Sequence, residues 1–244
     1  MVELLAMSGQ RAIQPRRISP FEMSERQSRL DEDLICLELG NRWGLRCERF
    51  AAPKREGRKT PDFKVLKDGE LIAYLEVKTS HDSMKFAERA DGLCVSTTPN
   101  NPIFSRLAND IYRADEQFTS VNPDTLLPNI LAFVNHDEKA GAIDLRAVVT
   151  GSVPLEGGGS LPAWHHISEG RIRDAKKRIH LYIWCDHHPQ VDAIKEHHEG
   201  FDIVIPRPAS RNVRVLTRWN QMSDPDVMAQ LCRAFGVNPV SINS

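Results

Sequence analysis

An α/β (α+β) fold, a mixed central β-sheet flanked by helices, is the class predicted by three features of the sequence. Apolar residues recur at helical spacing over residues 24–43 and 104–118. Short β-prone runs, alternating or wholly apolar, lie between and after them, and glycine or proline signals separate the segments. The resulting order is helix, strand, hairpin, helix, strand, helix, strand, which packs as helices on a mixed sheet. The 244 residues, 41% hydrophobic and 27% charged, suit one core with extensions. They divide into an N-terminal arm (1–22), a core domain (23–206) and a C-terminal strand and helix packing on that core (207–244).

Charge and cysteine usage narrow the setting. A formal net charge of −1 gives no electrostatic footprint of a polyanion partner, so only the distribution of charge can argue for one. Basic residues cluster at Arg11–Arg17, at Arg171–Arg178, and at Lys54, Arg55, Arg58 and Lys59. The five cysteines are odd in number and lack Cys-x-x-Cys spacing, which predicts reduced thiols rather than a disulfide framework. With no run of about 18 apolar residues and no signal-peptide centre, the expectation is a cytoplasmic protein with no membrane partner. Monomer and homodimer both stay open.

Taken in order, residues 1–22 carry Pro15 and Pro20 and no sustained period, hence an arm. A helix begins at Ser24 and stops near Gly40 or Gly44. Glu32, Ile35, Cys36, Leu39 and Trp43 form one stripe along it, and Leu30, Leu34 and Leu37 a second, with Asp33 the comparable acid. Leu45–Phe50 reads as a strand and Pro53–Lys59 as a basic loop. After the hairpin described below, residues 81–101 read as irregular. Phe104, Leu107, Ala108, Ile111 and Phe118 trace a helix that carries Arg113 and Gln117 one turn apart. Ile130–Val134 is a strand, Ile143–Val149 a helix stopped by Gly151, and Gly157–Gly159 a flexible loop. Strands are predicted at Ile179–Cys185, Phe201–Ile205 and, at a sheet edge, Val213–Trp219. A helix over Pro225–Phe235 closes the chain.

The hairpin carries the chemistry. Phe63, Val65, Leu71, Ala73, Leu75 and Val77 are apolar, whereas Asp62, Lys64, Tyr74, Glu76 and Lys78 are polar or amphipathic, so one face enters a core and the other does not. The expected register sets Leu66 against Glu70 across a three-residue loop, Lys67-Asp68-Gly69, with Gly69 left-handed. Asp62 then opposes Tyr74 and is a diagonal neighbour of Glu76. Two such carboxylates offer hard oxygen ligands for Mg²⁺ or Mn²⁺. Lys78 shares their face, where it can orient a water or stabilise developing charge, and the backbone carbonyl of Val77 is left as a third ligand.

Pro61-Asp62 followed by Glu76-Val77-Lys78 after a glycine-bearing turn, with an acid on a preceding helix, resembles the PD-(D/E)XK superfamily of restriction-endonuclease-like nucleases. The likeness is specific in the hairpin and compatible with the element order from about residue 24 to 135. It implies a restriction-endonuclease-like core with C-terminal additions and a metal-dependent hydrolysis of phosphodiester bonds, in DNA by preference. Asp62 and Glu76 would bind the metal, Lys78 would be the catalytic lysine, and Glu32, or else Asp33, would be the helix acid supporting the metal. The helix with Arg113 and Gln117 would lie beside the site, with Gln117 auxiliary. Lys54, Arg55, Arg58 and Lys59 would hold nucleic-acid phosphates. The alternative is an inactive nucleic-acid-binding or assembly module of the same fold.

His187-His188 and His197-His198 near Cys185 offer soft ligands, but their spacing matches no standard zinc pattern, and exposed loop histidines are expected there. His165-His166 and His180 are read in the same way. No grouping of Ser, Cys and His supports nucleophilic hydrolase chemistry.

Overall fold

A computed structural model describes residues 20–50, 60–80, 85–88, 94–97, 103–137, 140–155, 158–162, 166–187, 194–198, 201–205, 212–216 and 225–236. The chain runs through α1 (Pro20–Trp43), β1 (Arg46–Arg49), β2 (Phe63–Lys67), β3 (Glu70–Ser80), β4 (Lys85–Glu88), β5 (Cys94–Thr97), α2 (Ile103–Val121), β6 (Asn129–Asn135) and α3 (Ala142–Thr150). It continues through β7 (Ser152–Pro154), β8 (Ser160–Pro162), a π-turn at His166–Arg171, α4 (Ala175–Arg178), β9 (Leu181–Asp186), β10 (Ile194–His198), β11 (Phe201–Ile205), β12 (Asn212–Leu216) and α5 (Pro225–Phe235).

Six strands form the main sheet in the order β1-β2-β3-β6-β9-β12. The strands β1, β2 and β3 pair antiparallel, β3, β6 and β9 parallel, and β12 antiparallel to β9 at the edge expected for it. Parallel strands covered on both faces read as continuous apolar runs, and all seven residues of β6 are buried. Alternation sends Val77, Ile130, Ala132, Ile183 and Cys185 to the face packed by α1 and α5. Leu131, Phe133, Tyr182 and Trp184 go to the other face, under α2 and α3. Leu231, Ala234 and Phe235 of α5 join the first cluster, so the C-terminal strand and helix both pack on the core.

Several elements differ from expectation. Pro20, suited by its fixed φ to a first helical turn, begins α1 four residues early and inside the expected arm; residues 1–19 lie outside the described residues. Residues 81–101 include the paired strands β4 and β5, each only four residues long and too short to show a period of two. Gly158 and Gly159 lead into β8, which pairs with β7 as a small hairpin, while Gly157 lies outside the described residues. Of the second apolar line on α1 only Leu34 is buried, while Leu30 and Leu37 are 54% and 53% exposed. His197 and His198 lie in β10 rather than in a loop, and Cys185 is in the core. His180 is buried, not exposed: its Nδ1 accepts the Asn129 N–H at 2.8 Å, and burial lowers its pKa to about 4.

The hairpin reaches its predicted faces by a different path. Lys67 pairs with Glu70, so the turn is two residues, Asp68-Gly69, with φ of 52° and 88°. Two positive φ values at an Asp-Gly pair are what a type I′ turn requires. Without correction that turn would put Asp62 and Glu76 on opposite faces. The pairing steps from Leu66↔Leu71 to Val65↔Ala73, which makes Ile72 an extra bulged residue and restores the parity. Phe63 consequently faces Leu75, and Asp62, one residue beyond the ladder, lies across from Glu76 rather than from Tyr74.

A Cβ added at Gly69 meets no heavy atom within 4 Å, so the cost of Gly69→Ala is that of the left-handed backbone alone. We expect a loss of about 1–2 kcal/mol, read as a lower urea midpoint at unchanged m-value. Asp68→Asn should be nearly neutral, since Asn tolerates the same region. A neutral Gly69→Ala would rule out the two-residue turn.

Candidate active site

Pro61 has no amide hydrogen and precedes β2, and the ladder with β3 stops at Phe63. Past that point the edge of β3 is satisfied by side chains. The Val77 N–H donates to Asp62 Oδ2 at 2.8 Å, and the Asp62 N–H donates to Glu76 Oε2 at 3.2 Å. The N–H and C=O of one strand residue project to the same side. The Val77 carbonyl is therefore also aimed past the end of the β2 ladder.

Lys78 stands on the Glu76 face of β3. Its Nζ donates to Glu76 Oε1 at 2.6 Å and to Gln117 Oε1 at 2.9 Å. The Gln117 amide is fixed in turn, because Nε2 donates to the Thr60 carbonyl at 3.1 Å. A side chain of α2 thus spans the approach to the hairpin and the strand beside it. The sheet brings Asp62, Glu76 and Lys78 together, and α2 adds Gln117.

Burial governs the electrostatics. Glu76 is 2% exposed, and desolvation pushes its carboxyl up to about 8, against the pull of Lys78 and with a further push from Asp62. Desolvation also raises Asp62, opposed by the Val77 N–H and the Lys78 charge. Two carboxyl groups in one half-dry site, the Asp62 charge disfavouring ionisation of Glu76 while a hydrogen bond with Glu76 favours that of Asp62, form a hard-oxygen donor set that a small divalent cation would neutralise. The residues present fit Mg²⁺ or Mn²⁺ on that ground. The geometry among the described residues does not itself assemble three metal-ligating His, Cys, Asp or Glu side chains.

Of the two helix acids, Glu32 is the one turned toward the hairpin, near enough to Asp62 to be raised by its charge as well as by burial. Its side chain is 14% exposed and paired with Arg49, whereas that of Asp33 is 76% exposed. Arg49 lies at 4.6 Å over the ring of Phe63, so β1 contributes a cation that the sequence reading omitted. Asp110 was also omitted. It lies two turns before Gln117 on α2, raised by burial and opposed by the charge of Lys78. The basic residues Lys54, Arg55, Arg58 and Lys59 lie outside the described residues.

A third acid on α1 was missed altogether. Asp31 is 1% exposed and accepts from Thr79 Oγ1 at 2.6 Å, from Gln27 Nε2 at 2.9 Å and, at 3.0 Å, from His136 Nε2. Burial would raise its pKa, but these contacts hold it below the usual carboxylate value. The signal was its spacing: Asp31 precedes Ile35 and Leu39, both 1% exposed, by four and eight residues.

A cleft of about 910 Å³ begins at Lys78 and Gln117 and runs between α2 and the 170–178 segment, past Tyr112, Arg113, Arg171 and Arg178. Part of the Arg171–Arg178 cluster is structural. Arg178 Nε donates to Asp115 at 2.6 Å, and buried Lys176 donates to Ser168 Oγ at 2.7 Å. Among the described residues no helix is long and apolar enough to cross a membrane. Comparison with protein-family models, curated proteins and solved structures finds no match to this chain.

The Glu76 carboxyl binds more protons folded than unfolded between its ordinary 4.5 and about 8. Its contribution to stability is therefore full below the unfolded pKa and is lost as pH rises through the folded one. We expect the melting temperature of the wild type minus that of Glu76→Gln to fall across that window in the presence of chelator. A difference that stays flat with pH would show that Glu76 is not held protonated.

Proposed function

We propose that the chain is a metal-dependent phosphodiesterase of PD-(D/E)XK type that acts on nucleic acid, DNA by preference. One observation carries this reading: the Asp62 and Glu76 carboxyl groups converge at the end of a strand ladder, with the Lys78 ammonium 2.6 Å from Glu76 and held there by Gln117. An isolated Glu-x-Lys on an exposed strand would not be buried, raised in pKa and braced from a second element. The order of α1, the β1–β3 meander, α2 and β6 also agrees with the resemblance noted in the sequence.

In this reading Asp62, Glu76 and the Val77 carbonyl would hold Mg²⁺ or Mn²⁺. When bound there, such an ion would supply charge neutralisation at a phosphoryl oxygen and a lowered pKa for an attacking water. Lys78 keeps an N–H available to orient that water or to meet negative charge as it develops. Gln117 is a positioning residue, since it touches Lys78 and the Thr60 carbonyl and fixes where the ammonium points. Glu32, held through Arg49, serves as the helix acid. The Lys54–Lys59 loop and the cleft beyond Lys78 are where backbone phosphates would be held, which positions substrate without reading its sequence.

The experiment pairs metal titration with cleavage. Wild-type protein should bind Mn²⁺ and cut at least one of linear, circular, single-stranded or branched DNA. Asp62→Asn should lose Mn²⁺ affinity at least tenfold, an effect of the size produced by disturbing a metal ligand's surroundings. Lys78→Ala should keep Mn²⁺ and lose about 10²–10³ in cleavage rate. If Mn²⁺ affinity is indifferent to Asp62→Asn, the metal assignment fails; if Mn²⁺ binds but no DNA is cut, the non-catalytic binding module is the better reading.

A further inference from the structure

The facing surfaces of α1 and β1 touch at two levels. At one, Glu32 pairs with Arg49. At the other, one turn along the helix and two residues back along the strand, Cys36 faces Cys47. Both thiols are half-buried at the margin of the α1-side core and share a hydrogen bond. The closure of α1 fixes this arrangement. Gly44, at φ 65°, donates its N–H to the Gly40 carbonyl, Leu45 donates to the Leu39 carbonyl, and the chain returns at once as β1. Cys185 and Cys232, by contrast, are buried.

We propose that Cys36 and Cys47 are a modification site, an oxidisable thiol pair that closes to a disulfide with a hydroperoxide as oxidant. The two thiols already lie within hydrogen-bonding reach of each other on elements joined directly through Gly44 and Leu45, and a disulfide forms only between side chains held that close. Cys47 is the attacking sulfur, because the hydrogen bond from Cys36 lowers its pKa while Cys36 is raised. Its thiolate attacks one peroxide oxygen, forming an S–O bond and breaking O–O, and the released hydroxide leaves as water. The Cys36 sulfur then displaces the hydroxyl of the Cys47 sulfenic acid, forming S–S with loss of a second water. Two thiols lose two electrons and two protons, and hydrogen peroxide is reduced to two waters. The product ties α1 to β1 beside Glu32. Nothing in this step depends on the proposed nuclease activity.

The test uses the full-length reduced chain, a few equivalents of hydrogen peroxide, and mass spectrometry of non-reduced peptides. The expected result is a Cys36–Cys47 cross-linked peptide lighter by two hydrogens, with two thiols lost and recovered by dithiothreitol. The unfolding midpoint of the oxidised chain should rise by about 5 °C, the order of effect that closing a short loop has on a chain of this size. Cys36→Ser should stop at a sulfenic acid on Cys47 that a dimedone probe captures, and Cys47→Ser should leave Cys36 reduced. Recovery of both residues as free thiols, or cross-linking no faster than in the urea-unfolded chain, would overturn the proposal.

Discussion

The edge of β3 beyond Leu75 governs the candidate site. A strand whose neighbour has ended exposes N–H groups that need acceptors, and in a half-buried setting an unmet one costs about 1–3 kcal/mol. Here the acceptor for Val77 is the Asp62 carboxylate, and Asp62 in turn gives its own N–H to Glu76. A carboxylate standing where a backbone carbonyl would otherwise stand is pulled into the sheet edge and partly dried. Its neighbour becomes a second buried acid within reach. The raised pKa values and the closeness of Lys78 both follow from how this ladder ends.

That geometry was half legible in the sequence. Six apolar residues at alternate positions require an even pairing sum, and the structure keeps it, so the common face of Asp62, Glu76 and Lys78 could be read directly. The route was ambiguous, because a three-residue loop and a two-residue turn followed by one bulge have the same parity. Asp68-Gly69 is the dipeptide that favours the second route, but Ile72, the bulged residue, is apolar and buried like its neighbours and carries no mark of its role. The difference moves Asp62 from a diagonal position to one directly across from Glu76, which brings the carboxyl groups closer together than the predicted register would.

Helices and buried strands were legible where periodicity or continuous apolar character was long, as in α2, β6 and α5. Pairs of four-residue strands such as β4 and β5 were not, since four residues cannot establish a period. Histidines were misread for a related reason. Composition treats His180 like the other ring-bearing polar residues, whereas its position before β9 carries it into the interior, where it stays neutral and accepts the Asn129 N–H. Local sequence contains no signal for which neighbouring strand will supply that donor.

Asp31, Glu32 and Asp33 show what a helix does with three consecutive acids. Successive residues on a helix point about 100° apart, so the three carboxylates meet the strand ends, the margin of the hairpin and solvent respectively. Asp31 is engaged by Thr79 near the end of β3 and by His136 after β6, and these bonds fix the rotation of α1 about its axis. Once that rotation is fixed, Glu32 has to face β1 and the hairpin, and Asp33 has to face away. The residue that decides between Glu32 and Asp33 is therefore neither of them. It is the buried acid one position earlier, whose partners lie 48 and 105 residues downstream and could not be seen from the helix's own periodicity.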